Sequence, residues 1–143
     1  MAAPLWLLDT NILSGLMRSP SGVIAKHLAQ SLQLVEGAQV GTSVIVDCEL
    51  RFSFAKNPSA RLSDAYRVTM SAIHVFDLDR TVAQRYANLR QYLEGQGTPI
   101  GPNDMLIAAH ALALDCVLVT DNEEEFHRVP GLRVENWGRG VRR

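Results

Sequence analysis

Leu5-Trp6-Leu7-Leu8-Asp9-Thr10-Asn11 joins an apolar run to a carboxylate and passes at once into a helical pattern, with Ile12, Leu13, Leu16 and Met17 at helical spacing. The run predicts a buried strand, and Thr10 or Asn11 predicts a helix cap. A strand ending in Asp9 delivers one negative charge to the rim of a sheet, where open α/β folds place their ligands. Three later segments bring polar groups to comparable places. They are Glu49 in the helical stretch opened by Ser43, Asp104 in Gly101-Pro102-Asn103-Asp104-Met105, and Asp121 or Asn122 after Val117-Leu118-Val119-Thr120.

Outward from that segment, strands and helices alternate. Ser21 opens a helix with a stripe of Val23, Ile24, Leu28 and Leu32, and a brief strand surrounds Val40. Ser43 caps the helix carrying Glu49, Ser59 caps another, Val75-Phe76 reads as a strand, and Asp79 caps a long helix. The breaker-rich 95–102 has the composition of a mobile loop at an active site. The helix over 104–114 is apolar on nearly every side, and short strands follow at 117–119 and 132–134. The alternation predicts a three-layer α/β single domain with a mainly parallel sheet. Residues 1–137 form that domain, and Gly138-Arg139-Gly140-Val141-Arg142-Arg143 is a short basic C-terminal tail suited to touching phosphates.

A formal charge of −1 argues against a protein that grips nucleic acid by bulk electrostatics, so any such contact is local. Lysine occurs only at 26 and 56, and arginine, whose planar fork suits phosphate and carboxylate, supplies the remaining cations. Cys48 and Cys116 sit in apolar patterns without a Cys-x-x-Cys pair and read as small core residues. Nothing resembles a membrane span or a secretory signal, so a cytoplasmic location with no membrane partner is expected.

Each acid has a bland reading to weigh. Asp47 and Glu49 are separated by roughly 200° around the helix and cannot share a target. Asp47 has Arg51 four positions on, an ordinary helical ion pair, whereas Glu49 is the odd charge among Ile45, Val46 and Phe52. Asp104 complements the helix dipole with Asn103 as a natural cap, and His110 lies on nearly the opposite face as a structural histidine. Glu123-Glu124-Glu125 reads as the solvated face of a turn, and Trp6 and Trp137 as packing anchors. Carboxylates that converge repel one another and resist ionising, so a bound cation is the economical way to hold them charged. Magnesium prefers oxygen ligands and keeps several waters, so a few carboxylates and a phosphate suffice, and the spacing points to nuclease chemistry.

Leu8-Asp9-Thr10-Asn11, the 43–50 segment with Glu49, Pro102-Asn103-Asp104-Met105-Leu106-Ile107-Ala108-Ala109, and Val117-Leu118-Val119-Thr120-Asp121-Asn122 leading to Phe126 and Val129-Pro130-Gly131-Leu132 resemble the PIN domain, specifically the VapC-type toxins of bacterial toxin–antitoxin pairs. The resemblance implies a PIN-like fold and Asp9, Glu49 and Asp104 as metal-binding acids. It also implies Mg2+- or Mn2+-dependent endoribonuclease action on structured cellular RNA, homodimerisation, and inhibition by a small cognate antitoxin. The family's fourth polar position falls on Asn122 while the acid here is Asp121. Asp121 is expected to contribute, with Asn11, Ser43, Thr120 and Asn122 in support. Two other classes compete: a catalytically inactive PIN-type interaction domain, and a receiver-like phosphoacceptor module. The latter wants a late lysine, and both lysines precede residue 60. A haloacid-dehalogenase phosphatase wants an aspartate where Asn11 stands.

Overall fold

A computed structural model describes residues 4–139, so residues 140–143, most of the expected basic tail, lie outside the described part. Five strands, β1 (Leu5–Leu8), β2 (Gln39–Ser43), β3 (His74–Phe76), β4 (Val117–Val119) and β5 (Arg133–Glu135), form one sheet in the order β3-β2-β1-β4-β5. Every pairing is parallel, with Leu7 opposite Gly41 on one side and Leu118 on the other. The chain winds outward from β1 through β2 to β3 and then returns to β4, so the winding reverses between β1 and β4. At such a switch point the connections diverge, and a crevice opens above the strand ends. Asp9 and Thr120, directly after β1 and β4, stand there.

The helices are α1 (Thr10–Arg18), α2 (Val23–Leu34), α3 (Val44–Lys56), α4 (Ala60–Met70), α5 (Arg80–Gly95), α6 (Pro102–Leu114) and the one-turn α7 (Glu123–Phe126). Ser43, Ser59 and Asp79 cap α3, α4 and α5 through their side chains, as their positions in sequence indicate. The other starts differ from expectation. Asp9 itself caps α1, Gly22 precedes α2, and α6 begins at Pro102, which needs no N–H in the first turn. Asn103 is therefore inside α6, and Asp104 remains in its first turn.

Leu7, Leu8, Leu118 and Val119 of the central strands are fully buried between Ile12 and Leu13 of α1 and Ile107 and Ala108 of α6. Strands covered on both faces read as continuous apolar runs for this reason. The two tryptophans pack edge to face at 5.8 Å, and Glu135 accepts both indole N–H groups, from Trp137 at 2.9 Å and Trp6 at 3.5 Å. Cys116 is buried, with its thiol pushed up to about 12 by desolvation. Cys48 is not a core residue: Val46 and Leu50 take the inward stripe of α3, so Cys48 and Phe52 face outward. Among the described residues no helix is long and apolar enough to cross a membrane.

Candidate active site

Asp9 is only 3 % exposed at the bottom of the crevice. Its Oδ1 accepts the Thr10 N–H at 2.8 Å, and its Oδ2 accepts the Thr120 hydroxyl at 2.7 Å and the Asn11 amide at 3.2 Å. Burial raises its pKa, the nearby charge of Glu49 adds to the rise, and the donors from Thr120, Thr10 and Asn11 only partly offset it. Asn11 also fixes the turn after β4. Its carbonyl accepts the Asp121 N–H at 3.0 Å while its amide reaches the Thr120 hydroxyl at 3.3 Å.

Glu49 arrives from α3, whose start is set by Ser43. The Ser43 hydroxyl accepts the Ile45 N–H at 3.1 Å and lies 2.8 Å from Nδ1 of buried His110. Burial holds the His110 imidazole below its ordinary pKa, and the ring joins α6 to the cap of α3. It is structural, as expected. One Glu49 oxygen accepts the Thr10 hydroxyl at 2.6 Å, so the residue after Asp9 ties α1 to α3. Asp47 faces elsewhere, paired with Arg51 at 3.0 Å and accepting the Tyr66 hydroxyl.

Asp104 stands at the start of α6 against an acid that sequence reasoning placed in solvent, Glu125 of α7. Burial, the hydrogen bond and repulsion from Glu125, and then the charges of Asp9 and Glu49 push the Asp104 carboxyl up to about 8. Burial also acts upward on Glu125, but hydrogen bonds from Asp104, the Gly101 N–H and Asn122, with the charge of Arg128, bring it below its ordinary value. Asp104 is thus the member of the pair that favours its proton, and Glu125 the member that favours its charge. The Gly101 N–H donates to Glu125 Oε1 at 2.9 Å, and the Asn122 amide holds the other oxygen.

Asp121, expected as the fourth acid, has an exposed side chain that takes no hydrogen bond among the described residues. Thr120 turns inward at the end of β4 and is fully buried, so its neighbour is carried outward. Glu123-Glu124-Glu125 is likewise not one solvated face. Glu123 accepts Asn136 and pairs with Arg139, Glu124 is exposed, and Glu125 turns into the site. One signal for Glu125 was available: it precedes Phe126, which is fully buried and pulls its short helix inward.

Glu49 and Asp104 border an open cleft. One part, of about 530 Å³, lies beside Thr10, Cys48, Glu49, Phe52 and Asn103. A second, of about 270 Å³, lies over Glu49, Gly101 and Asp104. Among the described residues no three acid, histidine or cysteine side chains are gathered closely enough to enclose an ion unaided. The donors are nevertheless all carboxylate oxygen, and Asp104 feels the charges of Glu125, Asp9 and Glu49. That donor set fits a hard dication that keeps much of its water, and does not fit zinc.

A parallel sheet with acids around its switch point and an open cleft above them defines the class as a PIN-type α/β domain. The PIN domain profile matches residues 6–132, and the chain belongs to the PIN-domain family, among the VapC ribonucleases. It is 32% identical to "Ribonuclease VapC2" of Rickettsia felis, over 93% of this chain and 98% of the relative. Over 68 residues, 48% of this chain and 52% of the relative, it is 43% identical to the "tRNA(fMet)-specific endonuclease VapC" of Salmonella typhimurium. Among solved structures, VapBC2 from Rickettsia felis bound to a promoter DNA fragment superposes with a TM-score of 0.86 at 30% identity, covering 93% of this chain and 98% of that one.

Proposed function

We propose that the chain is the toxin of a toxin–antitoxin pair, an endoribonuclease that cuts structured RNA at a Mg2+- or Mn2+-dependent site. The observation that carries this is the convergence of Asp9, Glu49 and Asp104 on the switch-point crevice, with Asp104 feeling the charges of the other two. Those three acids would hold the metal. Glu125 would take the fourth place, ahead of the expected Asp121 and Asn122. When bound, the ion supplies activation of a water and stabilisation of the in-line phosphoryl transition state. The chain's own residues do the rest. Thr10 and Thr120 aim Glu49 and Asp9, and Asn11 locks the turn between them. Glu125 favours the protonated form of Asp104, a proton that Asp104 would give up on holding a cation.

The relatives' names support RNA as the substrate, and the one specific for tRNA(fMet) makes a folded RNA the first to try. One neighbouring structure is a toxin–antitoxin complex from Klebsiella pneumoniae, and we propose a small antitoxin and a second copy of this chain as partners. Exposed Phe52 and Val68, at 67% and 63%, offer apolar area for such contacts. Residues 1–137 are proposed as the nuclease domain and 138–143 as an appended basic tail. Asp104→Asn should lower RNA cleavage in Mn2+ by more than about a hundredfold, a larger loss than an outer-shell change gives. The fold should remain, since the amide can still donate to Glu125. Cleavage at the parent rate by a folded Asp104→Asn protein would remove the site from these acids.

A further inference from the structure

The acid pair has a cation set against it that the proposed chemistry leaves unused. Arg128 follows α7, and its guanidinium donates to the Pro99 carbonyl at 3.3 Å, in the loop that enters α6 two residues before Asp104. It therefore spans the two segments that present Glu125 and Asp104. Its guanidinium lies near enough to Glu125 for the two charges to interact. Arg51, Arg67, Arg90, Arg133 and Arg139 each pair with a carboxylate. Arg128, like Arg18, Arg61, Arg80 and Arg85, makes no such ion pair among the described residues, and it is exposed. A guanidinium has five N–H donors, and the Pro99 carbonyl occupies one.

A chain of net charge −1 whose site is lined by acids repels a polyanion at the place where the polyanion must dock. A cation at the rim is needed to bring the backbone in. We propose that Arg128 is a substrate-binding residue that grips a backbone phosphate of the RNA beside the scissile one, with the free edge of its planar fork. Bidentate hydrogen bonding to a phosphate is the geometry an arginine offers and a lysine does not. The proposal rests on the nuclease reading. It goes further by assigning where the strand lies, along the α6–α7 side of the cleft.

The test compares the full-length parent with Arg128→Gln and Arg128→Lys, cutting a fluorescently labelled RNA hairpin at fixed Mn2+ over a range of potassium chloride. Glutamine retains an N–H for Pro99 but carries no charge, and lysine retains the charge without the fork. Arg128→Gln should raise KM roughly tenfold, the scale of one charge-assisted hydrogen bond, with kcat little changed. It should also flatten the slope of log(kcat/KM) against log salt by about 0.7, one phosphate on a single strand. Arg128→Lys should keep the parent slope with an intermediate KM. A parent slope in Arg128→Gln overturns the proposal, and so does a lowered melting temperature in both variants with no change in slope, which would make Arg128 a latch for the loop. A parent chain that cuts no RNA overturns the nuclease reading itself, whereas equal slopes in a parent that cuts overturn only the phosphate contact.

Discussion

Three consecutive glutamates precede Phe126, and their fates diverge within one helical turn. Glu123 binds Asn136 and Arg139, Glu124 stays in solvent, and Glu125 meets Asp104 and the Gly101 N–H. An acid's role here is set by which neighbour buries its backbone, and charge alone does not reveal it. Asp121 illustrates the converse, since its N–H is fixed by Asn11 at 3.0 Å while its side chain is exposed and takes no hydrogen bond among the described residues. Glu125→Gln retains an acceptor for Gly101 and removes the charge. It should raise the Mn2+ concentration for half-maximal cleavage by about tenfold or more, as loss of an acid supporting a metal does. Asp121→Asn should move it by less than about twofold, in keeping with a solvated charge. A metal titration that ranks the two substitutions the other way would return the fourth place to Asp121.

At the level of elements, the sheet depends on a close approach at its β2–β3 seam. A Cβ added at Gly41 would lie 2.5 Å from Cε2 of Phe76 and 2.8 Å from the His74 carbonyl oxygen. The ring could turn aside, but the carbonyl belongs to the paired strand. Gly41→Ala should therefore destabilise the protein by about 1–3 kcal/mol, the usual scale of overpacking, read as a lower urea midpoint; an unchanged midpoint would mean that β3 slides freely. The glycine's purpose is invisible in sequence because its obstacle, His74-Phe76, lies more than thirty residues away. The features that could be read were local ones. Ser43, Ser59 and Asp79 announce their helices because a capping oxygen bonds an N–H two or three residues on. The apolar runs at Leu5–Leu8 and Val117–Val119 announce covered parallel strands, and Asp9 and Asp104 are legible because each ends or begins such an element. Strand order and the outward face of Cys48 depend on partners distant in sequence, and no local pattern encodes them; for Glu125 the adjacent Phe126 is the one local signal.

For the whole molecule, the crowded acids link folding, pH and metal. Asp104 holds its proton up to about 8 when folded but only to its ordinary 3.8 when unfolded. Between those values the folded state binds more protons, so this contribution is fully present at low pH and is lost as pH rises toward 8. Asp9, also raised, acts in the same sense. Glu125 and His110 act oppositely, because both are lowered on folding and their contributions fade as pH falls below the ordinary values of 4.5 and 6.5. Above about 6.5 the opposing groups are silent and Asp104 dominates. The melting temperature in chelator should then fall from pH 6.5 to 8.5. A divalent ion competes with the proton on Asp104, so its binding releases that proton and strengthens as pH rises. Stabilisation by an ion that binds only the folded state grows with its affinity. The Mn2+-induced rise in melting temperature should therefore be small at pH 6 and increase through pH 8.5, while in Asp104→Asn both the chelator slope and the metal shift should largely vanish. A metal shift independent of pH, or one that persists undiminished in Asp104→Asn, would separate the ion from this acid pair and place it elsewhere in the crevice.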